Sequence, residues 1–257
     1  MERLHDVTFE VVEGAIAIIT IDRADARNAL GKGVRDGLFA AWERFENDPA
    51  LRVAILTGAG DKAFCAGGDL KEMAALNLQV PPPDMFPVPG DNIRLTKPTI
   101  AAVNGAAFAG GWLIAQACDL CVASDTARFA ITEVKVGRGA PWAVPLLHMI
   151  PQRVMLEILL TGAPIDAARA YEIGLVNKVV APADLREAAL AIARAIVAGA
   201  PLSVTAAKAI VRIAAEMGQT EALAAARAAF EPAYRSHDAQ EGPRAFAEKR
   251  APVWRGE

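Results

Sequence analysis

Ala66-Gly67-Gly68-Asp69-Leu70 and Ala109-Gly110-Gly111-Trp112-Leu113 are near-repeats, each following a strand-like apolar run and preceding a helical one. Glycine at a strand-to-helix turn lets the backbone approach a ligand closely, and the first amides of a helix have no partner within it. Two such turns placed face to face aim two backbone N–H groups at one oxygen, the geometry of an oxyanion hole. The pair of turns therefore predicts an α/β fold with a site between them.

The bulk properties narrow the setting. A chain of 257 residues, 53% hydrophobic and 22% charged, supports one large α/β domain with a sizeable core. A net charge of −3 gives no reason to expect nucleic acid or an anionic membrane as partner. The charged stretch Met1–Glu10 has no secretory h-region, and no uninterrupted apolar run reaches membrane-spanning length. Three cysteines point to reduced thiols and a cytoplasmic location. Cys118 and Cys121 have C-x2-C spacing, but no second pair follows and only three histidines exist, so no metal site is expected.

In chain order, Val7–Val12 and Ala15–Ile21 read as a hairpin about Glu13-Gly14. A helix is predicted over 33–47, then the buried strand Val53–Thr57 and a lead-in at Ala63–Cys65. Asp69 with Glu72 three residues on forms a capping-box pattern, so Asp69 is expected to cap a helix running toward Asn77. Leu78–Asn92 carries five prolines and breaks all periodicity; it is either a surface excursion or a wall over a pocket. Strands follow at Thr99–Val103, Leu120–Ala123, Arg128–Ala130 and Leu175–Val180, with a loop-like segment over 137–145. From Pro182 onward the chain reads as Ala-rich helices.

Several chemistries lack their motifs. There is no G-x-S-x-G elbow, phosphate loop or dinucleotide fingerprint, and His5, His148 and His237 stand apart from one another. One acid, Glu133, lies in apolar company (Phe129-Ala130-Ile131-Thr132-Glu133-Val134). Such surroundings raise a carboxyl pKa toward the range useful for proton transfer; a helix cap or an ion-pair partner is the alternative reading.

Phe64–Leu70, Lys97–Gly111 and Cys118-Asp119-Leu120, in this order and spacing, resemble the signature blocks of the enoyl-CoA hydratase/isomerase (crotonase) superfamily. Arg27-Asn28-Ala29-Leu30 resembles its substrate-side loop, and Leu160-Thr161-Gly162 and Gly174-Leu175-Val176 its later elements. The resemblance implies a spiral of repeated ββα units over residues 1–197, with a helical region over 198–257 that packs and builds homotrimers or dimers of trimers. It implies an acyl-CoA substrate with no separate cofactor. The amides of Gly68 and Gly110 match the two donors to the thioester oxygen, and Glu133 matches an acid/base. Ala66, Asp69, Leu70 and Lys71 match positions along the CoA arm, and Arg27 lies in the substrate-side loop.

One departure bears on the reaction. Hydratases of this family carry two glutamates, and the first falls here on Leu113, an aliphatic pocket residue. A single glutamate suits double-bond isomerisation better than hydration. Hydration, and a catalytically weak member kept for acyl-CoA binding, are the alternatives. Arg138 and Trp142 are further candidates for pocket lining.

Overall fold

A computed structural model describes all 257 residues. Its strands are β1 (Glu2–Leu4), β2 (Val7–Val12), β3 (Ile16–Ile21), β4 (Val53–Gly58), β5 (Ala63–Cys65), β6 (Thr99–Val103), β7 (Ala106–Phe108), β8 (Leu120–Ser124), β9 (Arg128–Ala130), β10 (Ile165–Asp166) and β11 (Lys178–Val180). The α-helices are α1 (Lys32–Asn47), α2 (Leu70–Ala75), α3 (Gly110–Gln116), α4 (Gln152–Thr161), α5 (Ala167–Glu172), α6 (Leu185–Val197), α7 (Pro201–Glu216), α8 (Gln219–Arg235) and α9 (Asp238–Ala247).

The strands form two sheets, ordered β1-β2-β3-β4-β6-β8-β11 and β10-β9-β7-β5. The three consecutive strand pairs β4–β5, β6–β7 and β8–β9 each give one strand to the large sheet and one to the small. That alternation is the predicted ββα spiral. From β3 through β11 the large sheet is parallel, and β5, β7 and β9 are mutually parallel in the small one. Parallel strands are covered on both faces, which is why VAILT and TIAAV read as unbroken apolar runs.

Side chains alternate across the large sheet with period two. Ile18, Ile55, Ile100 and Val122 pack against α6 through Leu185, Ala189 and Ala193. Ile19, Leu56, Ala101 and Val103 face the main core, where α1 contributes Val34, Leu38, Ala41, Trp42 and Phe45. The small sheet lies in that core too, through Phe64, Ala107 and Phe129.

Some boundaries differ from expectation. The last strand covers only Lys178–Val180, because the amides of Leu175 and Val176 close the end of α5 on the Ala170 carbonyl. The segment expected to be loop over 137–145 runs at Pro141 into a 3₁₀ helix, Pro141–His148. The helix capped by Asp69 stops at Ala75, and Asn77 adopts φ +47°.

The C-terminal helices are less embedded. α7 packs chiefly along α8, and each leaves large apolar side chains in solvent, including Val211 and Leu223. Lys208 ties α7 to the body through Asp119 at 2.9 Å and the Lys97 carbonyl at 2.9 Å. No single helix is long and apolar enough to cross a membrane; α6 with its lead-in and α7 reach that composition only as a pair bent by 110°.

Candidate active site

Because β5, β7 and β9 are parallel neighbours, their C-terminal ends open along one edge of the small sheet. β5 leads into Ala66-Gly67-Gly68, β7 into Ala109-Gly110, and β9 into Glu133. Adjacent strands lie about 4.8 Å apart, so the three exits fall within about 10 Å. The carboxyl edge of an open α/β sheet is the usual place for a ligand.

The two glycine turns do meet. A Cβ placed on Gly110 would lie 3.6 Å from the Gly68 nitrogen, and one on Gly67 would lie 3.4 Å from the Gly110 nitrogen. Gly67 has φ +99°, and a Cβ there would come within 2.9 Å of the Phe108 carbonyl oxygen. In the second turn the positive-φ residue is Ala109, at φ +51° and ψ −120°. Each predicted donor therefore follows a residue of positive φ, and the backbone repeat aligns Gly67-Gly68 with Ala109-Gly110. This one-residue offset between the glycine pairs explains why the second glycine of one and the first of the other occupy matching places.

Both amides are aimed through their own peptide units. In a planar trans peptide the carbonyl and N–H point in opposite directions. The Gly67 carbonyl accepts the Leu30 amide at 2.8 Å, so the Gly68 N–H points away from Leu30. The Ala109 carbonyl accepts the Leu113 amide at 3.1 Å, so the Gly110 N–H points out of the start of α3. Neither amide is taken up by a loop carbonyl or a side-chain acceptor. Gly111 lies behind the site, where any Cβ would collide with the Cys65 carbonyl.

Glu133 opens a 3₁₀ helix, Glu133–Val136, and is half-buried. Its Oε2 is buried with no hydrogen-bond partner. Burial pushes its carboxyl above the usual glutamate value; its own backbone amide and the Trp142 indole pull weakly the other way. A base poised nearer neutrality is suited to take and return a proton. Leu113, one turn beyond Gly110 on α3, is 5% exposed and offers no polar group.

The remaining predicted positions sort by what their side chains do. Ala66 is half-buried beside the turn, and its amide donates to the Arg27 carbonyl at 3.0 Å. Arg27 has φ +52° and an exposed side chain. Leu70 and Lys71 are exposed on α2. The Asp69 carboxylate is fully engaged, capping the Lys71 and Glu72 amides at 3.1 and 3.2 Å and pairing with Arg23 at 2.8 Å. The capping box is only half made, because Glu72 turns to Arg35 at 2.7 Å and to the Lys32 amide at 2.9 Å.

The Pro-rich segment walls the site. The Phe86 ring comes within 3.8 Å of where a Gly68 Cβ would sit. Asn92 folds the segment on itself, donating to the Pro83 and Phe86 carbonyls at 3.1 and 2.6 Å. Arg138 fastens its start, donating to the Leu78 and Gln79 carbonyls at 2.9 and 2.8 Å.

A model of the enoyl-CoA hydratase/isomerase family matches residues 12–257. The chain belongs to the enoyl-CoA hydratase/isomerase family. The (E)-benzylidenesuccinyl-CoA hydratase of Thauera aromatica is 39% identical over 97% of this chain and 99% of its own. The carnitinyl-CoA dehydratase of Escherichia coli K12 is 41% identical over 95% and 96%. The crystal structure of an enoyl-CoA hydratase from Mycobacterium marinum superposes with a TM-score of 0.90, at 39% identity over 98% of this chain and all of that one.

This member of the family also uses residues that sequence reading passed over. Asn28 is fully buried and donates to the Ala59 and Ala63 carbonyls at 3.0 and 2.8 Å while accepting from the Arg23 amide at 3.1 Å. It pins the 22–30 loop to the connection between β4 and β5, the strand that leads into the first glycine turn. Its only sequence signal was its place beside Arg27 in the family-like block. Cys118 and Cys121 are buried free thiols, the latter pushed up to about 12 by burial, and no His, Cys, Asp and Glu gather into a metal-binding group. His5 and His148 are exposed, and His237 sits beside Asp238 at the start of α9.

Proposed function

We propose that the chain generates the enolate of an acyl-CoA thioester, holding the carbonyl oxygen between the Gly68 and Gly110 amides while Glu133 moves the proton. The observation that carries this reading is the pair of facing, uncommitted amides at one sheet edge, with an unpartnered buried carboxyl oxygen at the next strand's exit. Removing a proton from the carbon beside the thioester places negative charge on that oxygen. A preorganised donor there is worth about 3–4 kcal/mol of transition-state stabilisation. Ala66, Asp69, Leu70 and Lys71 border the path taken by the CoA arm, Arg27 binds substrate from the substrate-side loop, and Leu113 lines the acyl pocket. Coenzyme A enters as part of the substrate and no further cofactor is invoked.

With Leu113 in place of a second acid, double-bond isomerisation is the reaction one carboxylate completes alone. Glu133 takes a proton from C2 of a 3-enoyl thioester, and the electron pair delocalises to the oxygen held by the two amides. The same carboxyl then returns the proton to C4, leaving a 2-enoyl thioester. A second reading, addition or removal of water, is favoured by the names of relatives at 39–41% identity, a hydratase and a dehydratase. Purified protein assayed with crotonyl-CoA and with a 3-enoyl-CoA separates the two. Double-bond migration without hydration supports isomerisation, hydration of crotonyl-CoA supports the second reading, and turnover of neither with acyl-CoA still bound identifies a binding-only member.

The exposed apolar side chains of α7 and α8, together with Val144, Leu147, Leu156 and Leu160, suit burial against further copies, and we assign a homotrimer or dimer of trimers. The three buried free thiols fit a reducing, cytoplasmic setting.

A further inference from the structure

We propose that Arg23 is a positioning residue that fixes the aim of the Gly68 amide through Asp69, with Gly31 providing the clearance it needs. The inference rests on Gly68 being a donor to the thioester oxygen. Its geometric basis is a polar fastening between two segments far apart in sequence. α2, which begins two residues after Gly68, buries none of its residues. Apolar packing therefore does little to hold it in place, and polar contacts must do so.

The fastening nearest to Gly68 is the Arg23–Asp69 pair. One Asp69 oxygen, Oδ1, accepts the Lys71 and Glu72 amides at the start of α2. The other, Oδ2, accepts from Arg23 Nη1 at 2.8 Å. The same Nη1 reaches the Ala29 carbonyl at 3.4 Å, and the Arg23 backbone amide is held by buried Asn28 at 3.1 Å. The guanidinium thus joins residue 69, just after the donor, to the loop that supplies the Leu30 amide to the Gly67 carbonyl. Both ends of the Gly67–Gly68 segment are referred to one loop.

The pair's environment makes it more than a surface contact. The Arg23 and Asp69 side chains are 30% and 15% exposed, so water screens them less than a fully solvated pair. Gly31 has an ordinary extended backbone, so its glycine is not demanded by φ. A Cβ at that position would lie 2.5 Å from Arg23 Nη1 and 3.4 Å from Asp69 Oδ2. The residue is small because the guanidinium passes over it. With Nη1 engaged by both Asp69 and Ala29, Arg23 is assigned to aiming the donor.

The test compares wild type with Arg23→Gln and Gly31→Ala, the second keeping every charge but displacing the guanidinium. The probe is crotonyl-CoA carrying carbon-13 at its carbonyl, read by infrared difference spectroscopy, alongside kcat and KM for isomerisation of a 3-enoyl-CoA and thermal melting. In wild type the carbonyl stretch of the bound thioester moves to lower frequency. In both variants that displacement shrinks, and kcat falls about ten-fold while KM stays within about two-fold, a fraction of the about 10²–10³-fold loss on removing a donor outright. Arg23→Lys, which keeps the charge on a compact head of different reach, recovers only part of the displacement. An undiminished displacement in the folded variants, or an effect confined to KM, overturns the assignment of Arg23. No displacement in wild type would instead overturn the oxyanion-hole reading on which it rests. Should Arg23→Gln fail to fold, Gly31→Ala decides by the same readout.

Discussion

Ala109 donates its amide to the Ala130 carbonyl at 2.8 Å, so the turn that carries the second amide is bonded to the strand leading into Glu133. β7 and β9 run in register beside it, with Phe108 opposite Ala130. The backbone that carries the predicted oxygen-holding amide is therefore tied by the strand ladder to the segment that delivers the predicted proton carrier, whose carboxyl then reaches out on its own side chain.

That arrangement holds Ala109 at φ +51° and ψ −120°, a conformation natural to glycine and strained for any residue with a Cβ. Ala109→Gly is expected to leave the fold unchanged and raise stability by about 0.5–1 kcal/mol. The relieved strain exceeds the added freedom of the unfolded chain. Ala109→Val, β-branched at the same position, is expected to destabilise by about 2 kcal/mol. Denaturant melts of the three proteins check both signs.

Glu133 gives opposite expectations for activity and stability. Glu133→Gln keeps the shape and removes the proton acceptor, and is expected to lower turnover about 10²–10⁴-fold. Because the folded protein raises this carboxyl above its ordinary 4.5, the neutral acid is the form that folding favours. Its contribution to stability is fully present below 4.5 and is lost as pH rises through the raised value. Glutamine stays neutral throughout, so the variant melts higher than wild type near neutral pH, and the gap closes as the pH falls below 4.5. Melting curves across that range, with the acid limb of kcat/KM lying above 4.5, test the assignment.

The C-terminal strap behaves in the opposite sense. Glu241, 5% exposed on α9, accepts both terminal nitrogens of Arg250 at 2.6 and 3.0 Å and the Val253 amide at 2.8 Å. Asp238 takes the Arg255 and Gly256 amides, and the Trp254 indole donates to the Ala198 carbonyl at 2.8 Å, so residues 250–256 bind α9 back to the α6–α7 junction. The Arg250 guanidinium, helped by the Val253 amide, lowers the Glu241 carboxyl from 4.5 to about 2. A lowered value means stability that is present above 4.5 and lost as pH falls through about 2. Glu241→Gln is expected to lower the melting temperature near neutral pH and to flatten its decline in acid.

Much of this was legible in the sequence because the decisive signals were local. Apolar runs gave the parallel strands, the glycine pairs gave the turns, and Asp69 capped the amides two and three residues on, as its position requires. What escaped was set by distant partners. Glu72 completes no capping box because Arg35 and Lys32 bring better donors from α1, and Arg23 meets Asp69 only once the first glycine turn folds over its loop. Asn28 reads as one polar loop residue among several until the carbonyls of Ala59 and Ala63 converge on it. The 3₁₀ helix over Pro141–His148 was hidden by Pro145 within it, which argues against a helix by any local rule.

The central claim is that this chain forms a thioester enolate using Glu133 alone. Its most direct measurement is loss of deuterium from the carbon beside the thioester of a bound 3-enoyl-CoA labelled there, whether to solvent or to C4, followed by mass spectrometry and NMR. The account predicts that wild type removes this label and that Glu133→Gln does not, with acyl-CoA binding retained. Full retention of the label by a wild-type protein that binds the thioester, or a loss that survives Glu133→Gln, would contradict it.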